Sequence, residues 1–83
     1  MIIVGCDFHP SWQQVAIFDP STGEMVEHKL VNGNGEAERF YRLLPRPSLV
    51  GLESCGNSGW FVELVEKMGH PAKVSRKKCT KQN

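Results

Sequence analysis

Apolar residues at the start of the chain form a run rather than a helical stripe. Met1 to Cys6 is broken only by Gly5, and it ends on an acid, Asp7. Such a run reads as a strand over Ile2 to Asp7, buried on both faces. Gln13 to Asp19 reads as a second strand. Asp19-Pro20-Ser21-Thr22-Gly23 is a hairpin turn, with Asp-Pro to open it and Gly to close it. Glu24 to Val31 alternates more and reads as a third strand near an edge, completing an antiparallel meander. Asn32-Gly33-Asn34-Gly35 breaks that pattern, and Asn34 is suited to cap a helix. Ala37, Phe40, Tyr41 and Leu44 then fall at i, i+3, i+4 and i+7, one helical face, before Pro45 and Pro47 end it. Leu49 to Glu53 is a short apolar strand that again finishes on an acid. After Asn57 or Ser58 as a cap, Phe61, Leu64, Val65 and Met68 repeat the helical spacing, with Glu63 and Lys67 as an i,i+4 pair. Gly69 suits the position just past a helix end, and Ala72 to Ser75 starts a fifth strand. The predicted order is β-β-β-α-β-α-β, an α/β domain with a five-stranded mixed sheet.

Composition narrows the class. The 83 residues allow one small domain, and 40% apolar against 23% charged residues places it among globular chains. A net charge of +1 says little, but its distribution divides the chain into a domain, 1–75, and a basic tail, 76–83. Lys73, Arg76, Lys77, Lys78 and Lys81 crowd the C-terminal end, where on their own they read first as a solvated tail and second as phosphate contacts. Three cysteines without Cys-x-x-Cys spacing fit a reducing cytoplasm. No apolar run reaches the ~18 residues of a membrane span, and no signal peptide is visible. A soluble cytoplasmic protein is expected.

Asp7 and Glu53 occupy equivalent positions, each ending an apolar strand before a polar loop. The first and fourth strands are most easily parallel neighbours. Aligned ends bring the carboxylates together, where they repel each other unless a cation intervenes. Mg²⁺ favours such oxygen ligands, and paired ions ~3.5–4 Å apart clamp the attacking and leaving oxygens of a phosphodiester. The alternative is that both acids simply end strands and face water. Acids at the ends of strands one and four, in this element order, are the arrangement of the ribonuclease H-like fold, which favours the metal reading by analogy.

Three stretches carry a closer resemblance: GCDFHPSWQQVAIFD, NGEAERFY and VGLESCGNSGWFVELVEKMGH. They resemble the N-terminal RuvC-like domain of DEDD-type insertion-sequence transposases, a group that includes the pilin-gene inverting recombinases. The resemblance spans roughly residues 2–74. It implies an RNase H-like domain in which Asp7 and Glu53 are the first two of four carboxylates holding Mg²⁺ for DNA strand cleavage and transfer. It also implies DNA as partner, and structured RNA as a second ligand. The family continues into a Thr-Asp-x-x-Asp-Ala motif, whereas here Lys78-Cys79-Thr80 is followed by Lys81 and no Asp or Glu follows Glu66. The expectation is therefore a fragment, a decayed copy or an excised domain, binding Mg²⁺ weakly and inactive alone. Both crossovers should step the same way and put both helices on one sheet face. The other face, lacking a C-terminal helix, would be covered by a second copy, giving a homodimer.

Two other classes compete. One is a non-catalytic module that binds nucleic acid or the full-length transposase through its basic tail. The other is a fragment of the actin and sugar-kinase fold, which shares the order and the first Asp. That fold uses small residues in its first hairpin, while this loop is Phe8-His9-Pro10-Ser11-Trp12. His9 is either a polar loop residue or a group that positions a phosphate or metal-bound water. Trp12 and Trp60 either stack on bases or pack at the core boundary. Gly56 and Gly59 offer amides to a phosphate or simply open a helix. A Cys/His metal site using Cys6 and Cys55 is disfavoured by the absence of paired spacing.

Overall fold

The computed structural model describes residues 1–54 and 58–76. In chain order they form β1 (Ile3–Phe8), β2 (Trp12–Asp19), β3 (Glu24–Val31), α1 (Glu36–Leu43), β4 (Leu49–Ser54), α2 (Gly59–Lys67) and β5 (Ala72–Arg76). This is the expected order, with boundaries moved by a residue. The strands make one mixed sheet in the order β3-β2-β1-β4-β5. The β1–β2 and β2–β3 pairs are antiparallel, and β1–β4 and β4–β5 are parallel.

Both helices cover the same sheet face. Val4, Cys6 and Phe8 of β1, Val15 of β2, Leu30 of β3, and Val50 and Leu52 of β4 are buried beneath Ala37 and Tyr41 of α1 and Phe61 and Val65 of α2. The aromatic centre is tight: Phe8 stacks on Phe61 at 5.0 Å and Tyr41 meets Phe61 edge-on at 5.1 Å. Burial of β1 on both faces is not what forms. Its burial alternates, with Ile3 and Gly5 exposed between the buried residues, because same-direction right-handed crossovers leave the second face uncovered by any described element.

The helix ends show how local chemistry sets the frame. Asn34 is not the cap of α1. Gly35 takes that place at φ 84°, and the Asn34 side chain accepts the Glu36 N–H at 3.0 Å from one residue further out. Ser58 does cap α2, but through its backbone carbonyl, which accepts from Phe61 and Val62. Asn57 lies outside the described residues. At the other end of α2, Gly69 at φ 93° allows His70 N–H to reach the Val65 carbonyl while Gly69 N–H reaches that of Glu66. Among the described residues the helix ion pair forms between Glu38 and Arg42 in α1 rather than at the expected Glu63 and Lys67.

His70, almost wholly buried, locks three connections together. Its Nδ1 accepts the Ser48 N–H at 3.1 Å, which leaves Nε2 as the donor to the Tyr41 carbonyl at 2.8 Å. The end of α1, the start of β4 and the α2–β5 turn are thereby joined through one imidazole.

Candidate metal and nucleic-acid site

The parallel register of β1 and β4 pairs Asp7 directly with Glu53. Both have the strand parity of exposed Ile3 and Gly5, so both project on the uncovered face. The connections leaving β1 and β4 run in opposite directions, to β2 and to α2, and open a gap beyond the ends of these two central strands. Glu53 is exposed and Asp7 half-buried. One transverse row across the sheet therefore reads Ser75, Glu53, Asp7, Gln14, Lys29.

The next row reads Lys73, Gly51, Gly5, Ala16, Glu27. Its three central members have little or no side chain and form the floor of a trough of about 350 Å³ walled by Asp7, Glu53, Gln14 and Glu27. A Cβ built on Gly5 would meet nothing within 4 Å, and one on Gly51 only the Val4 carbonyl at 4.0 Å. The chain's own packing does not demand glycine at either place.

Beyond Asp7, the β1–β2 loop is built from within. Asn32 Nδ2 donates to the carbonyls of His9 and Pro10 at 2.8 and 3.1 Å, and Asn32 N–H donates to Ser11. Gln13 Nε2 in turn donates to Asn32 Oδ1 at 2.7 Å. The other end of Gln13 is fully buried, where Oε1 accepts from the Tyr41 hydroxyl at 2.7 Å and the Cys6 thiol at 3.2 Å. A polar network thus runs from the helix α1, through the core, to the loop. Set by it, His9 Nε2 lies 3.6 Å from Asp7 Oδ2, and its ring stacks on Trp12 at 4.2 Å with 16° between the planes. Lys29 Nζ sits 4.6 Å from the Trp12 ring centre.

Burial pushes the Cys6 thiol up to about 11, an effect partly offset by the Tyr41 hydrogen bond and increased by the Asp7 charge. Tyr41 is also raised, first by burial and then by Cys6. Burial thus favours the neutral form of the Cys6 thiol, in the core behind Asp7.

The tertiary structure brings together Asp7, Glu53 and His9 and adds Trp12 and Lys29 to them. Lys73 stands on the same face in the glycine row, and Arg76 ends β5. Lys77, Lys78 and Lys81 lie outside the described residues, as do Cys55 and Gly56. Trp60 is on the other side, half-exposed against Phe8 and Phe61 at the edge of the core. Among the described residues no three His, Cys, Asp or Glu side chains gather as a metal-binding group. Sequence reading passed over Lys29, Gln13 and Asn32. Gln13 was detectable as a polar residue at an inward-facing position of β2, whereas nothing in the sequence marked the pairing of Lys29 with Trp12. No helix among the described residues is long and apolar enough to cross a membrane. Comparison with known proteins finds no family model that matches the chain and no curated protein of significant similarity.

Proposed function

We propose that this chain is an RNase H-like, RuvC-like domain of the DEDD transposase type, in which Asp7 and Glu53 contribute two carboxylates to a Mg²⁺ site for cleavage and transfer of DNA strands. One observation carries the reading: the two acids are register partners at the ends of adjacent parallel strands, on the face no described element covers. The donor set fits the ion. Asp7 and Glu53, both accessible to solvent, would hold it through carboxylate oxygens, the donor type Mg²⁺ favours. Mg²⁺ in such a site supplies charge neutralisation at a phosphodiester. The chain's own part is to hold the two carboxylates in register and to keep the adjoining loop fixed through Asn32 and Gln13.

The resemblance implies four carboxylates, of which Asp7 and Glu53 match two, so these 83 residues tested alone are expected to bind Mg²⁺ weakly and not to cut DNA. The β1–β2 loop speaks against the actin and sugar-kinase alternative. Its His9 amide is already spent on the Trp12 carbonyl at 2.9 Å and Pro10 has no amide, which leaves a poor phosphate cradle. Mn²⁺, observed by water-proton relaxation, serves as the probe. Weak binding that is lost in both Asp7→Asn and Glu53→Gln is expected. Binding undiminished in both variants overturns the assignment, and reproducible Mg²⁺-dependent cleavage abolished by Asp7→Asn overturns the claim of inactivity.

A further inference from the structure

Five side chains form a continuous line across the face that no described element covers. Glu53 pairs in register with Asp7, Asp7 meets His9 at 3.6 Å, His9 stacks on Trp12 at 4.2 Å, and Lys29 lies 4.6 Å from the indole. We infer that Trp12, His9 and Lys29 form a binding platform for single-stranded DNA, with a base on the indole and the neighbouring phosphate on the Lys29 ammonium. The inference rests on the reading of Asp7 and Glu53 as a phosphodiester-processing pair, and it supplies that pair with a substrate track.

The platform has no role in holding the core. Trp12 is absent from the buried cluster, whose aromatic members are Phe8, Tyr41 and Phe61 on the opposite face. Yet it is anchored. The loop that carries His9 is held by Asn32 through its backbone carbonyls, and Asn32 is held by the buried Gln13. The rings are therefore positioned before any ligand arrives, which lowers the ordering cost of binding.

Lys29 does not block the indole. An exposed cation–π contact is worth less than a base–aromatic stack, and the lysine stem is long and flexible. A base displaces the ammonium from the ring, and the ammonium then pairs with the phosphate beside that base. Lys29 and Asp7 stand two strands apart, about 10 Å at ordinary strand spacing, within the span of a dinucleotide. A strand held at Lys29 thus passes the carboxylate pair.

The test uses the full chain with Trp60→Phe, so that Trp12 is the only indole, and a fluorescein-labelled oligo(dT) at low salt, where phosphate contacts are strongest. Binding is read twice, by fluorescein anisotropy and by Trp12 emission with an unlabelled oligo(dT), while urea midpoints report folding. The expected result is quenching of Trp12 on binding. Lys29→Ala, an exposed change, and Trp12→Ala should each weaken binding about tenfold, roughly 1.4 kcal/mol. Binding by anisotropy with Trp12 emission unmoved, and with Lys29→Ala matching the parent, overturns the platform. No binding at all also overturns it. Loss of Mn²⁺ binding in Asp7→Asn stands independently of both readouts, so the metal assignment and the platform fail separately.

Discussion

Replacing Gln13 by Leu tests the buried network that joins the core to the candidate site. The wild-type amide satisfies three groups: the Tyr41 hydroxyl at 2.7 Å, the Cys6 thiol at 3.2 Å and Asn32 Oδ1 at 2.7 Å. Leucine fills similar volume but accepts and donates nothing. Asn32 is near solvent and rehydrates. The Tyr41 hydroxyl is fully buried and loses its oxygen acceptor, with only the weakly accepting Cys6 sulfur beside it, a loss of about 1–3 kcal/mol. The weak thiol donor adds a few tenths, so Gln13→Leu should cost about 2–3 kcal/mol. Tyr41→Phe removes one donor but leaves Gln13 Oε1 bonded to Cys6, and should cost about 1 kcal/mol. The double variant has neither the orphaned hydroxyl nor the amide. It should be more stable than the sum of the two single losses by about 1 kcal/mol or more. A domain of this size has about 4–12 kcal/mol in total, so these differences are easily read. Urea titration gives them directly, and heating should show about 4–8 °C per kcal/mol. Trp12 emission, read in the Trp60→Phe background, should shift to the red in Gln13→Leu as the loop loses its anchor. Single losses that add to within about 0.5 kcal/mol, or a Gln13→Leu cost below about 1 kcal/mol, would refute the reasoning.

Other outcomes follow from the same geometry. Cys6, raised to about 11 by burial, should resist iodoacetamide at pH 8 in the folded chain and react on unfolding, as read by peptide-resolved mass spectrometry. Because its folded value lies above its unfolded one of 9.0, the folded state holds the proton longer, and stability should fall as pH rises from about 9 through about 11. Tyr41 is shifted the same way and deepens that alkaline loss, so a flat urea midpoint across this range would contradict it. Gly69→Ala should cost about 1–2 kcal/mol by thermal melt, since φ is 93° and the new Cβ would meet Arg46 Cδ at 3.0 Å. Gly5→Ala should be neutral or stabilise by up to about 1 kcal/mol, because its Cβ enters open space on a central strand; clear destabilisation would show that something covers the trough.

The sequence by itself determined the elements, because each depends on residues close together along the chain. The spacing of Phe61 and Val65, the proline stops after Leu44 and the Asp19 turn all act locally, and the structure forms the corresponding helices and hairpin. It also placed Asp7 and Glu53 at equivalent strand ends, since both strands are short apolar runs closed by an acid. Which face each strand buries was not local. Ile3 and Val4 are nearly the same residue to a reader of the sequence, and only the side on which both helices fell made Val4 core and left Ile3 exposed. The same holds for the candidate site. Register sets Asp7 beside Glu53, and the pairing of β2 with β3 carries Lys29 to Trp12 across a turn and two strands. Gln13 shows the limit most plainly. Its role depends on three partners drawn from β1, α1 and the loop after β3, and a hydrogen bond between such distant residues exists only once packing has brought them together.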